Sequence, residues 1–384
     1  MTLNTEDTFR IGPIRPPSEA SSLLLQITRG CTWNKCRFCD LYKNNTFKVY
    51  SVESIKKDID VIASYAEIIN GCIKEDGNID RLAINQRIRD FSSQALNGFF
   101  LVLNWLWQGG ENVFLQDGNS LALKPEKVVE ILEYLRSRFP QIKRVTTYAR
   151  AETLSKISAD EYRALKKAGL DRIHSGFESG SDKVLELINK GVTSQQEITA
   201  GKNIKEAGIE FSVYFMPGIG GKSLSEENAL ETARVVREID PDYVRIRTSV
   251  IKRGTELWEY LENGTFQLCS ENEKLNEIKL IIENTKECNG ILASDHIINL
   301  LQSINGKLKT DHKKMLGIIQ DYYNLSPFDQ KMFQLGRRKG MVLAIEDLDR
   351  LPPYKKEDLA AKCRSVTDED EWNRLMNELM MNYI

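Results

Sequence analysis

The sequence predicts an α/β fold: six parallel strands alternating with helices in right-handed βα units, the sheet closed or partly closed. A helical insertion and a mainly helical C-terminal extension complete it. Three observations carry this expectation. Six short runs rich in Val, Ile, Phe and Tyr recur between residues 22 and 250. Amphipathic stretches with recognisable ends separate them. Three cysteines, Cys31, Cys36 and Cys39, follow the first run within nine residues. In α/β folds chemistry collects on the loops behind strands, so the position fits the residues.

Residues 1–20 contain Pro13, Pro16 and Pro17 without periodicity and read as an N-terminal arm. The predicted strands are Ser22–Thr28, Asn112–Gln116, Lys143–Tyr148, Asp171–Phe177, Glu210–Phe215 and Tyr243–Val250. Their residue types and shortness favour strand over helix. Ile55, Ile59, Ile62 and Ala66 fall on one face of a helix that begins after Ser51. Pro125 takes a first-turn position ahead of Val128, Val129 and Leu132. Ser158 with Glu161, and Thr193 with Gln196, each fit a capping box. Gly169, Gly191 and Gly208 stand where those helices should stop.

Residues 67–110 are too many for a loop between the first helix and the second strand. With Phe99, Phe100, Leu101, Trp105 and Trp107 they read as an inserted helical element, a lid or an interface. Beyond Thr255 the pattern turns helical and charged. The domain reading is an arm over 1–20, a barrel-sized domain over 21–257 and an extension over 258–384.

The run Cys31-Thr-Trp-Asn-Lys-Cys36-Arg-Phe-Cys39 is the most specific chemical signal. Three thiolates ligate three irons of a four-iron cluster and leave the fourth open to a ligand that is not protein. Structural zinc takes four closed ligands, and no fourth Cys or His lies close in sequence. The histidines are His174, His296 and His312. Cys72, Cys269, Cys288 and Cys363 are scattered and read as small buried residues.

With the strand order in place, the chain resembles the radical S-adenosylmethionine (SAM) superfamily from about Ser22 to Leu257. Its CxxxxCxxC spacing has one residue more in the first gap than the commonest family signature. Phe38 matches the aromatic residue before the last cysteine. The block His174-Ser-Gly-Phe-Glu178-Ser-Gly, followed by Val184-Leu-Glu-Leu-Ile188-Asn-Lys-Gly191, resembles one branch in particular. That branch holds the Elongator catalytic subunit, the methylthiotransferases and anaerobic coproporphyrinogen oxidase.

The resemblance implies a partial (β/α)6 TIM-type barrel in which Cys31, Cys36 and Cys39 hold a [4Fe-4S] cluster. It implies reductive cleavage of SAM to a 5′-deoxyadenosyl radical that takes hydrogen from a small-molecule or peptide substrate. Flavodoxin or ferredoxin would deliver the electron. The family places a Gly-Gly-Glu-like turn after the second strand, to hold the methionyl amine. The literal Gly109-Gly110-Glu111 precedes that strand, so the turn expected to work is Asp117-Gly118-Asn119. Glu178 and Ser179 are expected against ribose or amine, and Gly218 in the run Met216–Gly221 along the adenine. Arg245, Arg247 or Arg150 would bind the methionyl carboxylate, strand alternation setting Arg245 and Arg247 on one side. Phe38, Tyr148 and Ile251 complete the expected contacts, and His296 and Asn299 are candidates to reach over the barrel mouth.

Other classes remain open at this stage: a cluster-bearing sensor or electron carrier that does not cleave SAM, and a zinc-binding scaffold. A formal charge of −2 gives no electrostatic reason to expect nucleic acid as the main partner. The longest apolar stretch, Gly98–Trp107, is too short to span a bilayer. The N-terminus lacks the layout of a signal peptide, and seven cysteines without one argue against a disulfide framework. A cytoplasmic protein is expected.

Overall fold

The computed structural model describes residues 6–383. Its strands are β1 (Leu23–Gln26), β2 (Thr28–Arg29), β3 (Lys48–Val49), β4 (Asn112–Gln116) and β5 (Arg144–Tyr148). They continue as β6 (Arg172–Glu178), β7 (Glu210–Phe215), β8 (Tyr243–Ile246), β9 (Ile291–Ala293) and β10 (Asn305–Lys307). Eight form one sheet in the order β1-β4-β5-β6-β7-β8-β9-β10, while β2 and β3 pair separately. The pairs β1–β4, β4–β5, β5–β6, β7–β8 and β8–β9 are parallel, and β9–β10 is antiparallel. The α/β class and the parallel sheet are therefore as expected, with two strands added from the extension.

Two compact units divide the chain. The first comprises residues up to Thr32, then Asn44–His174 and Glu206–Glu210. The helix Val52–Asn70 starts where the sequence places it, with the Ser51 hydroxyl accepting from Ser54 N at 3.2 Å. Its inner face buries Ile55, Ile59, Ile62 and Ala66. The insertion is helical, over Arg81–Arg87 and Ser93–Trp107. It packs Phe99 edge-on against Tyr65, ring centroids 5.7 Å apart, and Phe91 against Phe99 at 6.0 Å. Phe9 of the arm joins this aromatic group, and Gly98 leaves its ring room: a Cβ there would lie 3.2 Å from it. The arm is docked further by Arg10 on Asp58 and by Gln116, which donates to Ile14 O at 2.7 Å. The Ser158–Glu161 capping box forms as expected.

The second unit comprises Trp33–Lys43, Ser175–Lys205 and Phe211–Ile384, described to residue 383. Its core gathers Val184 and Ile188 with Met216, Ile219, Ile251, Leu257 and Phe266. Phe177 stacks edge-on between Phe211 and Phe215. Two predicted strands are shorter than expected: Ser22–Thr28 is reduced to Leu23–Gln26, with Thr28 pairing in the small second sheet, and Tyr243–Val250 ends at Ile246. Side chains from the extension intercept the backbone of the latter. The Asn299 amide donates to Ile246 O at 2.7 Å and accepts from Thr248 N at 2.9 Å. Backbone groups satisfied in this way have no need of a strand partner.

Glu19 shows how the first unit stabilises a buried charge. It is fully buried and lies 3.0 Å from Arg144, 2.7 Å from the Ser22 hydroxyl and 3.4 Å from His174 Nε2. Burial raises its pKa, but His174, Ser22 and Arg144 together hold the carboxyl below the ordinary value of 4.5. Because the folded value is depressed, the stabilisation is full above about pH 4.5 and is lost as pH falls through the folded value. Glu19→Gln is expected to lower stability by about 3 kcal/mol at neutral pH and to flatten the acid limb of a urea-unfolding series. An unchanged acid limb would show that Glu19 does not carry it.

Candidate functional site

The loop that carries the cysteines has no ladder or helix to satisfy its backbone, so its anchors are side chains and helix ends. None of the seven cysteines forms a disulfide, and Cys36 is buried while Cys31 and Cys39 are half-buried. Among the described residues, no three His, Cys, Asp or Glu side chains stand as a group that could hold a metal ion. The donor set itself fits an iron–sulfur cluster: three cysteines in one short loop, outside disulfides and outside regular secondary structure. A metal site need not pre-exist in the metal-free chain, since gathering the ligands is part of loading it.

In the first unit the anchors flank Cys31. Gly30 adopts φ +84°, a conformation open to glycine, and donates its N–H to Asp117 Oδ2 at 3.2 Å. Asp117, buried at the end of β4, also donates its own N–H to Thr28 Oγ1 at 3.3 Å. Asn119 is fully buried, and both protons of its amide are engaged, on Thr32 Oγ1 at 2.9 Å and Thr153 Oγ1 at 2.8 Å. Its carbonyl accepts from Arg150 N at 3.0 Å. The Arg150 guanidinium reaches the same Thr32 hydroxyl at 3.4 Å. Asp117, Asn119 and Arg150, expected from sequence to contact a methionyl group, thus grip the residues on either side of Cys31, and Gly118 forms the turn between two of them. Tyr148 ends β5 beside Phe114 and His174, ring centroids 6.0 and 5.7 Å away. Gly109-Gly110-Glu111 lies ahead of β4, where Glu111 pairs with Lys143 at 2.6 Å.

In the second unit the rest of the loop is stitched to residues 187–191. Trp33 donates its indole N–H to Asn189 O at 2.7 Å. Its ring fills the space beside Gly191, whose φ is +67° and whose Cβ would stand 2.4 Å from the indole. Asn189 returns a bond to Lys35 O at 3.0 Å. Arg37 donates its N–H to Ile188 O at 2.9 Å and its guanidinium to Leu187 O at 2.8 Å. These carbonyls close the short helix Asp182–Leu187, so a cation there meets orphan acceptors and the negative end of the helix. On the other side, Leu257 N donates to Arg37 O at 2.9 Å, and Glu256 takes Arg37 Nε at 2.7 Å. Phe38 packs against the core that holds Val184 and Ile188, with Lys190 Nζ 5.8 Å from its ring.

Glu178 closes β6 with φ +70°, a conformation a glutamate adopts only at a cost in strain. Its carboxylate takes Lys190 Nζ at 2.7 Å, both side chains being largely buried. Gly176 makes the fold-back possible, since a Cβ there would lie 2.3 Å from Glu178 Oε1. Ser179, fully buried, accepts from Ser181 N at 3.0 Å. Gly218 adopts φ +83° and donates its N–H to Glu277. Arg245 on β8 and Arg247 just beyond it part company because the strand ends between them. Arg245 is buried against Ser212 and pairs with Asp295 at 3.0 Å, whereas Arg247 is exposed. Ile251 is fully buried, its N–H and C=O both taken by the Asn377 amide at 2.9 and 2.8 Å. His296 sits half-buried, its pKa pushed down to about 4 by burial and by Arg247.

Sequence reasoning missed Trp33, Gly176, Lys190, Asn377 and Glu277. Trp33 stands inside the cysteine run and Gly176 and Lys190 inside the His174–Gly191 block, whereas Glu277 and Asn377 carried no signal. The insertion also bounds a hollow of about 650 Å³, lined by Ile79, Arg81, Phe100 and Trp107 among others.

Part of the chain is similar to known proteins. Residues 102–233 match the family model described as the radical SAM superfamily. An uncharacterized methyltransferase of Pyrococcus horikoshii is 28% identical over 179 residues, 47% of this chain and 37% of that protein. The tRNA uridine(34) acetyltransferase of Methanocaldococcus infernus is 28% identical over 122 residues, 32% of this chain and 23% of that protein. The chain thus spans well under half the length of these two relatives. Among solved structures, the cobalamin-dependent SAM radical enzyme OxsB aligns with a TM-score of 0.45 at 15% identity, over 94% of this chain and 58% of that one. The matched segment runs from the helical insertion through β4, β5, β6 and β7, and over those residues the chain is similar to the radical SAM superfamily.

Proposed function

We propose that the protein is a radical SAM enzyme whose Cys31, Cys36 and Cys39 hold a [4Fe-4S] cluster. The observation that supports this best is the loop itself: three cysteines within nine residues and outside any disulfide, with Gly30 and Thr32 fastened on one side and Trp33 and Arg37 on the other. When bound, such a cluster supplies the electron that cleaves SAM to methionine and a 5′-deoxyadenosyl radical, which takes hydrogen from a substrate. The chain's own residues then have defined work. Asp117, Asn119 and Arg150 hold the segment around Cys31. Trp33, Arg37 and Asn189 hold the segment leading to Cys36. Glu178, kept in place by Lys190, offers a carboxylate for ribose hydroxyls or for the amine. Arg245 already has Asp295 as a counter-ion, so Arg247 is the arginine assigned to the methionyl carboxylate.

The substrate is assigned only to a class, a small molecule or a peptide. Flavodoxin or ferredoxin is the proposed electron donor, and the cytoplasm the place of action, where seven cysteines outside disulfides stay reduced. No helix among the described residues is long and apolar enough to cross a membrane.

Anaerobic reconstitution with iron and sulfide, followed by SAM and dithionite, is expected to yield a brown protein and 5′-deoxyadenosine. Cys36→Ala should lose at least ~90% of both colour and product, since two thiolates do not retain such a cluster. A colourless wild type, or a brown one that leaves SAM intact, contradicts the proposal. Gly191→Ala should push the Trp33 ring away at a cost of about 2 kcal/mol and lower the iron retained after desalting. Wild-type iron retention in that variant would show that residues 187–191 do not seat the loop.

A further inference from the structure

The loop Met216–Gly221 after β7 is built from backbone, with three glycines and few side chains of its own to hold it. A fully buried carboxylate from the extension holds it instead. Glu277, on the helix Glu271–Asn284, is 0% exposed. Its Oε2 accepts from Gly218 N at 3.1 Å and from Asn228 Nδ2 at 2.7 Å. Its Oε1 accepts from the Ser225 hydroxyl at 2.6 Å. Asn228 also reaches Met216 O at 3.4 Å, so one carboxylate brackets the loop at Gly218, at its entry and at the helix that follows it.

The arrangement is costly in itself. A carboxylate removed from water without an ion-pair partner loses several kcal/mol of solvation, which hydrogen bonds only partly offset. Glu277 is paired with no Lys or Arg among the described ion pairs, and Lys274, one turn before it, pairs with Glu271 at 3.6 Å. Burial pushes the Glu277 carboxyl up to about 7 against the hydrogen bonds from Ser225, Gly218 and Asn228. A Leu or Met would fill the space at lower cost if filling were the only task. Gly218 cannot take over the bracing either: a Cβ there would lie 2.8 Å from Ser249 Oγ and 2.9 Å from Lys274.

We propose that Glu277 is a positioning residue for SAM, fixing the Met216–Gly221 loop in the form that receives the cofactor. This inference rests on the function proposed above. Glycine-rich backbone loses more freedom on ordering than any other, so an unbraced loop would have to be ordered at the expense of SAM affinity.

The test uses the full-length reconstituted protein without reductant, so that binding is read apart from turnover. In Glu277→Gln, iron content is expected to match wild type while the SAM dissociation constant rises about tenfold. Hydrogen–deuterium exchange should quicken over residues 216–221 and stay unchanged in β7. With reductant, KM for SAM should rise and kcat at saturation should hold within about twofold. An iron-loaded Glu277→Gln with wild-type SAM affinity and wild-type exchange overturns the inference. If that variant fails to fold, Ser225→Ala removes one donor and leaves the carboxylate in place. It should weaken SAM binding in the same direction, and unchanged binding overturns the inference. A wild type that takes up iron but binds no SAM overturns the proposed function and this inference with it. A wild type that binds SAM, with both variants unaltered, overturns this inference alone.

Discussion

The segment proposed to offer three thiolates, Cys31–Cys39, lies outside helix and sheet, so its backbone groups must be satisfied by something other than a ladder or a helical turn. The rest of the structure answers that constraint. In the first unit the ends of β4 and β5 supply Asp117, Asn119 and Arg150, and their polar atoms meet Gly30 and Thr32. In the second, the end of a short helix supplies carbonyls for Trp33 and Arg37, and Gly191 supplies the absence of a side chain. Apart from Phe38, which packs against the apolar core, these anchors are polar or steric fits, which suits a loop proposed to seat a cluster and stay accessible to a second ligand.

The extension repeats the same device. Glu277, Asn299 and Asn377 are all buried, and each sends its side chain to the backbone of a loop that follows β7 or β8. An amide that both donates to and accepts from one backbone segment replaces a strand partner, which is why β8 stops at Ile246. Arg337 treats the extension's own loop likewise, donating to the carbonyls of Leu300 and Asn299 at 3.1 and 2.9 Å. The C-terminal part of the chain is thus scaffold for the loops on the strands' C-terminal side.

Much of the fold was legible because its signals are local. Asn112–Gln116 and Glu210–Phe215 were read to the residue, and the strands at 144–148 and 172–178 within one. The Ser51 cap and the Ser158–Glu161 box sit where their sequence pattern puts them. β9 and β10 escaped because three residues each give no periodicity, and a neighbouring strand rather than their composition recruits them. The site was legible in kind and not in wiring. Cys31, Cys36 and Cys39 announce themselves by spacing, and Asp117 and Asn119 by following a strand. That Asn119 holds Thr32, or that Gly191 makes room for Trp33, depends on contacts between residues 87 and 158 positions apart, which a single sequence does not encode locally.

The account turns on three protein ligands for four irons. Iron-57 Mössbauer spectra of the anaerobically reconstituted protein, recorded with and without SAM, test this directly. The account predicts that one iron site in four changes its isomer shift when SAM is added while the other three keep theirs. Four sites that do not respond to SAM, or an iron count that does not reach four per chain, would contradict it.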